Sequence, residues 1–527
     1  MREAESPGSP DPLYYLTNFQ IMLDTIVRRD GDLLSADERR FVEDFQALPV
    51  NARALLVRMA MRKGSLFRAS RLRYPEIEDL AGAISVLVGT GWIDDQPLLS
   101  VENLFSLFTK AEVAGILGLP RSALKERKGA VLSGVRDLFA GCRRLSDWGP
   151  VPDAVCRLDV APLVLRLRLM FFGNFHQDLR EFVLSDLGIF KYEPIRLHPG
   201  SRPFRTRIHV EGLHALYRCR ELLRDGVEPS IAEAALPPRI VDCDWLEERR
   251  ETLRFRIARA YEKAGNAGRA REIYSTCTHP EAGIRAQRSA AAPGRAGRRR
   301  KPDAAAVPGF ELRIPRTAAD RPVEHRVAEQ LVGASVECTE AHFVENALIN
   351  SLFGLLCWRA VFAPLPGAFF HAFHRDPADL SSAGFVDRRR GEFAACLAEL
   401  QTGAYKDTIL RRYAQSRGTS SSFVAWAIVD ERLLRIALEC FPAAHLQLWF
   451  RWMMQDLKAH RSGFPDLVQF FPESGRYRLI EVKAPGDRLQ ESQRSCLQFM
   501  LSHRMPVSVC RVRWEEGADL NRDAQTC

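Results

Sequence analysis

The sequence predicts a modular fold, mainly α-helical through its N-terminal and middle regions and closing in a C-terminal α/β core. Three observations carry this. Apolar residues recur at helical spacing through most of residues 13–290. Between residues 463 and 483 the pattern changes to two strand-like runs around a turn. At 527 residues the chain is too long for one ordinary core. The expected regions are 1–98, 99–150, 151–307 and 308–527.

Composition narrows the partners. Apolar content is 46%, normal for a globular chain. The net charge of +9 and pI near 9.0 point modestly toward nucleic acid. The 12 cysteines are scattered and none has zinc-ligand spacing with another Cys or His, so reduced thiols are expected. Met1 to Pro12 carries charges and prolines without an apolar signal core. No run is long and apolar enough for a transmembrane helix, so no membrane partner is expected. An intracellular place, cytoplasm or nucleoid, is the expectation.

In chain order, residues 13–98 read as a helical DNA-binding region. Tyr14, Phe19, Met22, Leu23 and Ile26 define the first helix, and Ser35 with Glu38 reads as a capping box for the second. Leu55 to Arg62 is a third. It leads into a basic, aromatic-interleaved loop with Arg68, Arg71, Arg73 and Tyr74, which suits phosphate contact or a solvated turn equally. Leu104 to Leu117 reads as one amphipathic helix, Gly118-Leu119-Pro120 as a turn, and Ser122 to Val135 as a second helix bearing Lys125, Arg127 and Lys128. This resembles a SAP-type DNA-binding motif, whose contacts would be mainly to phosphates and salt dependent.

Residues 157–240 are apolar and aromatic, and read as core. Ile257, Ala258, Tyr261, Gly265, Ala270 and Tyr274 follow the spacing of a tetratricopeptide unit, which needs stacked neighbours to bury its face. Arg249, Arg250, Arg254, Arg256 and Arg259 decorate it, either facing DNA or as an ordinary solvated surface. Residues 287–307 shift to Arg, Ala, Gly and Pro and read as a mobile basic linker.

The C-terminal region carries the chemistry. Leu467 to Phe471 is an apolar run, Pro472 to Gly475 a turn, and Tyr477 to Lys483 a second strand. Pairing Phe471 with Arg476 sets Asp466 opposite Glu481. Alternation puts Lys483 on the same face as Glu481. Two close carboxylates rise in pKa unless a cation lies between them. A hard divalent ion such as Mg²⁺ or Mn²⁺, one or two of them, is the usual solution. Such an ion activates water and polarises a phosphoryl oxygen, and a lysine can orient the water or offset phosphate charge. The set fits phosphodiester hydrolysis.

Asp487 and Gln490 read as a capping box for the next helix, whose stripe is Leu489, Cys496, Leu497, Met500 and Leu501. Gln493 falls on that stripe, either turned toward the hairpin or as a satisfied core amide. Pro506 to Trp514 reads as another strand. Glu345 heads the stripe Leu348, Ile349, Leu352, Leu355 and Leu356 on the same face. It is either a further metal ligand or a charge favoured by the helix dipole.

Gly463-Phe464-Pro465-Asp466-Leu467, Glu481-Val482-Lys483-Ala484-Pro485, Asp487-Arg488-Leu489 and Gln493 together resemble the VRR-NUC domain of the PD-(D/E)xK nucleases. The resemblance implies an α/β core with Asp466 and Glu481 as metal ligands, a further contact from the Val482 carbonyl, and Lys483 as catalytic lysine. Glu345 would be the extra acidic ligand and Gln493 would support the site. Glu345 to Trp358, Arg68 to Ile77, Met170 to Asn174 and the repeat region are similar to the Fanconi-associated nucleases, in a shorter bacterial-type form. This implies a monomeric nuclease for branched or 5′-flap DNA in interstrand crosslink repair, acting as endonuclease and 5′-to-3′ exonuclease. It also implies a basic pocket for a 5′ phosphate, for which Arg249, Arg250, Arg254, Arg285 and Arg288 are candidates. The ubiquitin-binding zinc finger of longer members has no counterpart spacing here. The alternatives are a Holliday-junction resolvase or restriction-type endonuclease, which would need a symmetric dimer, and a non-catalytic DNA-binding scaffold.

Overall fold

The computed structural model describes residues 12–186, 188–197, 201–279, 281–283, 285–286, 307–315, 321–334, 340–382 and 384–515. Arg288 and the basic stretch expected as a linker up to residue 306 lie outside them. The chain falls into two compact units, one reaching Ile189 and resuming at Arg202–Ser289, the other formed by Phe190–Ser201 and the chain from Ala290 onward.

The first unit opens with α1 (Tyr14–Asp30), α2 (Ala36–Ala47) and α3 (Val50–Ala60). Phe19, Met22, Leu23 and Ile26 of α1 are buried, as their spacing requires, but Tyr14 is only half-buried and its neighbour Tyr15 takes the place in the core. Ser35 and Glu38 form the expected capping box. Glu38 is fully buried and also receives Arg166 at 2.9 Å and Arg207, which hold its carboxyl below the usual range against the opposing effect of burial. β1 (Leu66–Arg68), α4 (Leu80–Gly89) and β2 (Ile93–Asp94) follow, then β3 (Leu98–Leu99).

The helix expected over 104–117 is two helices, α5 (Val101–Leu107) and α6 (Lys110–Ile116). Thr109 breaks it. Its side chain caps α6 in a box with Glu112, and a residue that bonds its own following backbone favours a helix start over a helix interior. The helix expected over 122–135 likewise divides into a 3₁₀ turn, Arg121–Lys125, and α7 (Lys128–Val135). Next come β4 (Arg143–Arg144) and β5 (Val155–Leu158), which pairs antiparallel with β1 and β2. Helices α8 (Ala161–Phe172), α9 (Arg180–Asp186), α10 (Arg207–Asp225), α11 (Pro229–Ala234), α12 (Asp244–Lys263) and α13 (Ala267–Thr276) complete the unit. α12 and α13 form a helical hairpin, and α10 and α11 pack on α12 as the stacked neighbours that a single hairpin needs.

The second unit is built on a five-stranded mixed sheet, in the order β6-β10-β9-β8-β7. The strands are β6 (Gly309–Pro315), β7 (Glu340–Phe343), β8 (Leu467–Phe471), β9 (Arg476–Lys483) and β10 (Val507–Glu515). β8 runs antiparallel to both β7 and β9, while β10 lies parallel to β9 and β6. The return from β9 to parallel β10 crosses over through the helix Glu491–Ser502. Alternation along the strands gives two buried faces. Leu467, Ile480 and Val482 pack with Val327 and Leu331 of the helix Val323–Ala334. Val468, Phe470 and Leu479 join a larger core with the helices Ala347–Leu356, Ala443–Gln455 and Glu491–Ser502.

Candidate functional site

The hairpin has the register that places its charges together. Phe471 lies opposite Arg476 and Leu467 opposite Ile480, so the next pair outward is Asp466 and Glu481. The main-chain N–H of Val482 donates to Oδ2 of Asp466 at 2.8 Å, tying the carboxylate across the two strands. The Asp466 carbonyl accepts from the N–H groups of Val344 at 2.8 Å and Glu345 at 3.2 Å. This contact brings Glu345 to the hairpin from a point 121 residues earlier in the chain (466 − 345).

Glu345 itself departs from expectation. It precedes the helix Ala347–Leu356 and is exposed, rather than lying on the buried stripe. Asn346 separates the two, with φ of +52° in the left-handed region that Asn tolerates better than most residues. Its Oδ1 accepts from Phe464 N–H at 3.0 Å and fixes the segment just before Asp466. Gly463, at φ +91°, lies so close to the helix Glu491–Ser502 that a β-carbon there would stand 2.5 Å from the Ser492 carbonyl carbon and oxygen.

That helix starts later than expected. Its capping box pairs Gln490 with Gln493, not Asp487 with Gln490. Gln493 Oε1 accepts from the Gln490 N–H at 2.9 Å, so one arm of the amide is engaged in the cap. Sequence spacing alone could not reveal this, because Gln at both positions is compatible with either box.

The electrostatics are those of two crowded, buried carboxylates. Glu481 is 0% exposed, and neither of its carboxylate oxygens receives a hydrogen bond of acceptable geometry. Lys483 Nζ lies 2.7 Å from Oε1 as an ion pair. Burial, and then the Asp466 charge, push Glu481 up to about 7, with Lys483 opposing. Asp466 rises to about 6, first by burial, against the Val482 N–H and Lys483, with Glu324 and Glu345 adding repulsion. Among the described residues no three His, Cys, Asp or Glu side chains stand close enough together to hold an ion. The donor set is nonetheless all hard oxygen, and a fully buried carboxylate with a single ammonium partner suits a hard divalent ion. Glu324 was not legible as part of this neighbourhood. An acid in the first turn of a helix reads as a dipole charge.

A cavity of about 490 Å³ opens beside Glu345. Arg375, Lys458 and Arg461 line it, with Asn350, Phe423 and Ile428. Arg461 stacks 4.2 Å over the Phe423 ring.

The basic residues singled out in the other unit divide into two groups. Arg71, Lys125 and Arg127 are exposed, and no ion pair among the described residues engages them. The rest make internal contacts. Arg68 is paired with Asp153 at 2.8 Å and Glu112 at 2.9 Å. Lys128 donates to the Phe108 carbonyl at 2.7 Å. Arg249 donates to the Gly173 carbonyl at 2.8 Å and lies 4.6 Å over Trp245, and its burial lowers its pKa to about 10. Arg250 and Arg254 engage Glu251 at 2.8 and 3.5 Å, and Arg285 engages Glu262 at 3.1 Å.

A Fanconi-associated nuclease 1 homolog from Pseudomonas aeruginosa is 42% identical to this chain, over 97% of each. The chain belongs to the Fanconi-associated nuclease family. An Arabidopsis thaliana homolog is 24% identical over 96% of this chain and 67% of its own length. A solved structure described as paFAN1 bound to 2nt 5'flap DNA with gap has a TM-score of 0.89 and 41% identity, covering 97% of this chain and 100% of that one. Family models match at residues 13–94 (FAN1, HTH domain), 98–148 (Fanconi anemia-associated nuclease SAP domain) and 400–514 (VRR-NUC domain). As a Fanconi-associated nuclease the chain is a nuclease, and its VRR-NUC domain implies dependence on a divalent metal. Asp466, Glu481, Val482, Lys483 and Gln493 lie inside the VRR-NUC match, and Glu345 lies before it. No described helix is long and apolar enough to cross a membrane.

Proposed function

We propose that this Fanconi-associated nuclease hydrolyses phosphodiesters in 5′-flap and branched DNA during interstrand crosslink repair, inside the cell and as a single chain. The observation that carries the chemistry is the fully buried Glu481, in register with Asp466 and with Lys483 as its ion-pair partner at 2.7 Å. The flap preference draws on the relatives solved with 5′-flap DNA. A single chain suffices, since all of these groups come from it.

Asp466, Glu481, Glu345 and the Val482 carbonyl would hold Mg²⁺ or Mn²⁺, which supplies Lewis-acid activation of water and phosphate when bound. The protein's own part is positional. The Val482 N–H holds the Asp466 carboxylate in one orientation. Lys483 stands where its ammonium can orient a water or offset charge on the phosphate. The Gln493 cap keeps the helix start against Gly463, directly behind the hairpin. Arg71, Lys125 and Arg127 would meet phosphates of the duplex, while the internally bonded Arg68, Lys128, Arg249, Arg250, Arg254 and Arg285 hold the scaffold. The 5′ phosphate would be received in the cavity of Arg375, Lys458 and Arg461, rather than by the arginines of α12.

The test is cleavage of a labelled 5′-flap duplex beside 3′-flap and four-way junction substrates, with Mg²⁺ or Mn²⁺ against chelator. Metal-dependent cutting that favours the 5′ flap is expected. Preference for the four-way junction would replace this reading with a resolvase.

A further inference from the structure

Residues 344–350 hold residues 461–466 at three places. The Val344 and Glu345 N–H groups donate to the Asp466 carbonyl. Two asparagines make the other ties. Asn346 Oδ1 accepts from the Phe464 N–H at 3.0 Å, across 118 residues of chain. Asn350 Nδ2 donates to the Arg461 carbonyl at 2.8 Å, across 111 residues, and to the Asn346 carbonyl at 2.5 Å.

Neither asparagine is accounted for by its own helix. Asn346 stands at the N-cap of the helix Ala347–Leu356, where an asparagine side chain ordinarily accepts from an N–H two or three residues on. No such cap bond forms, and the oxygen turns to Phe464 instead. Its φ of +52° suits few side chains, and Asn and Asp are the short ones that also carry an acceptor. Glycine would supply the backbone but no oxygen. Asn350 lies within a helix whose ten residues are all buried. Asparagine is a poor helix former. Its Oδ1 has no hydrogen-bond partner among the described residues, which burial makes costly. Helix propensity and core packing therefore both disfavour an amide there, whereas the Arg461 and Asn346 carbonyls that it bridges require one.

We propose that Asn346 and Asn350 are positioning residues of the nuclease site, an amide pair that sets Glu345 and Asp466 relative to each other as one unit. This rests on the reading of Asp466 as a metal ligand. The Asn346 bond fixes the chain two residues before Asp466, the Asn350 bond fixes it five before, and the Asp466 carbonyl holds the main chain of Glu345. Loss of either amide frees 461–466 to shift against Glu345. The bonds are internal to the protein, so turnover suffers more than affinity for DNA.

The experiment measures kcat and KM on a labelled 5′-flap duplex, with calorimetric Mn²⁺ titration and thermal unfolding of the same full-length proteins. These are the native chain, Asn346→Gly, Asn346→Asp, Asn350→Ala and the variant carrying both Asn346→Gly and Asn350→Ala, all assayed well below their unfolding temperatures. Asn346→Gly should lower kcat and weaken Mn²⁺ binding, each by roughly 10- to 100-fold, with KM close to native. Asn346→Asp keeps the backbone preference and the acceptor, and should keep kcat. Asn350→Ala should resemble Asn346→Gly, and the double variant should be no slower than the slower single one, because both act on one segment. Native kcat in Asn346→Gly overturns the proposal, whatever its unfolding temperature, and leaves a purely structural amide. A loss confined to KM overturns it in favour of a DNA contact. Asn346→Asp as slow as Asn346→Gly overturns the role of the acceptor, and losses that add in the double variant overturn the pairing. Asp466→Ala is the reference. If it cuts as fast as the native chain, the reading of the site itself fails, an outcome separate from any result at Asn346 or Asn350.

Discussion

At the scale of single residues, Asp466 and Lys483 separate two roles. Asp466→Ala should abolish cleavage, with a loss of at least about a hundredfold, and leave DNA binding largely intact in a gel-shift assay. Intact cleavage would defeat the assignment. Lys483→Ala should lower the turnover rate by about 10²–10³-fold, yet bind Mn²⁺ as well as or better than the native chain, because Lys483 competes for Oε1 of Glu481. Weaker Mn²⁺ binding in that variant would make Lys483 a structural counter-ion only. The buried carboxyls also set a pH dependence. Asp466 is raised to about 6 and Glu481 to about 7, so the folded metal-free chain holds protons that the unfolded chain has released. Their contribution to stability is present below about pH 4 and is lost as pH rises through about 6 to 7. In chelator, the unfolding temperature should therefore fall across that window relative to Asp466→Asn. Added Mn²⁺ should restore it at neutral pH. A flat profile would count against a coupled buried pair.

The elements show why these residues meet. The β8–β9 hairpin is local, and its four-residue turn sets which side chains face each other, so the opposition of Asp466 and Glu481 was readable in the sequence. Glu345 was readable as a candidate but not as placed. Asn346 in the left-handed region ends the helix one residue short of it, and the Asp466 carbonyl, far along the chain, decides where it stands. Thr109 divided a helix that apolar spacing alone joined, because its side chain bonds the following backbone. Gly463 makes the packing of hairpin against helix testable. A methyl group there meets the Ser492 main chain, and φ of +91° disfavours any L side chain. Gly463→Ala should cost about 1–3 kcal/mol and cut cleavage more than DNA binding, read by thermal unfolding and single-turnover kinetics. Native kinetics would show that this contact does not position the hairpin.

For the molecule as a whole, the DNA contacts proposed for the exposed Arg71, Lys125 and Arg127 would be contacts to phosphates. Affinity for flap DNA should fall roughly a thousandfold or more between about 50 and 200 mM salt if six or more phosphates are engaged, measured by fluorescence anisotropy in chelator. The slope should shrink in an Arg71, Lys125 and Arg127 triple alanine variant. An unchanged slope would move the DNA contact elsewhere.

The sequence by itself determined the α/β nuclease core, the hairpin register and the opposition of its two carboxylates. These depend on alternation, turn length and residue type, which are local. The tertiary structure decided which arginines are engaged inside the protein. Arg68 finds Glu112 and Asp153, 44 and 85 residues away, and Arg249 reaches the Gly173 carbonyl across 76. Partners so distant along the chain leave no periodic signal. Whether a charge meets a counter-charge, a main-chain carbonyl or solvent is settled only when the helices pack.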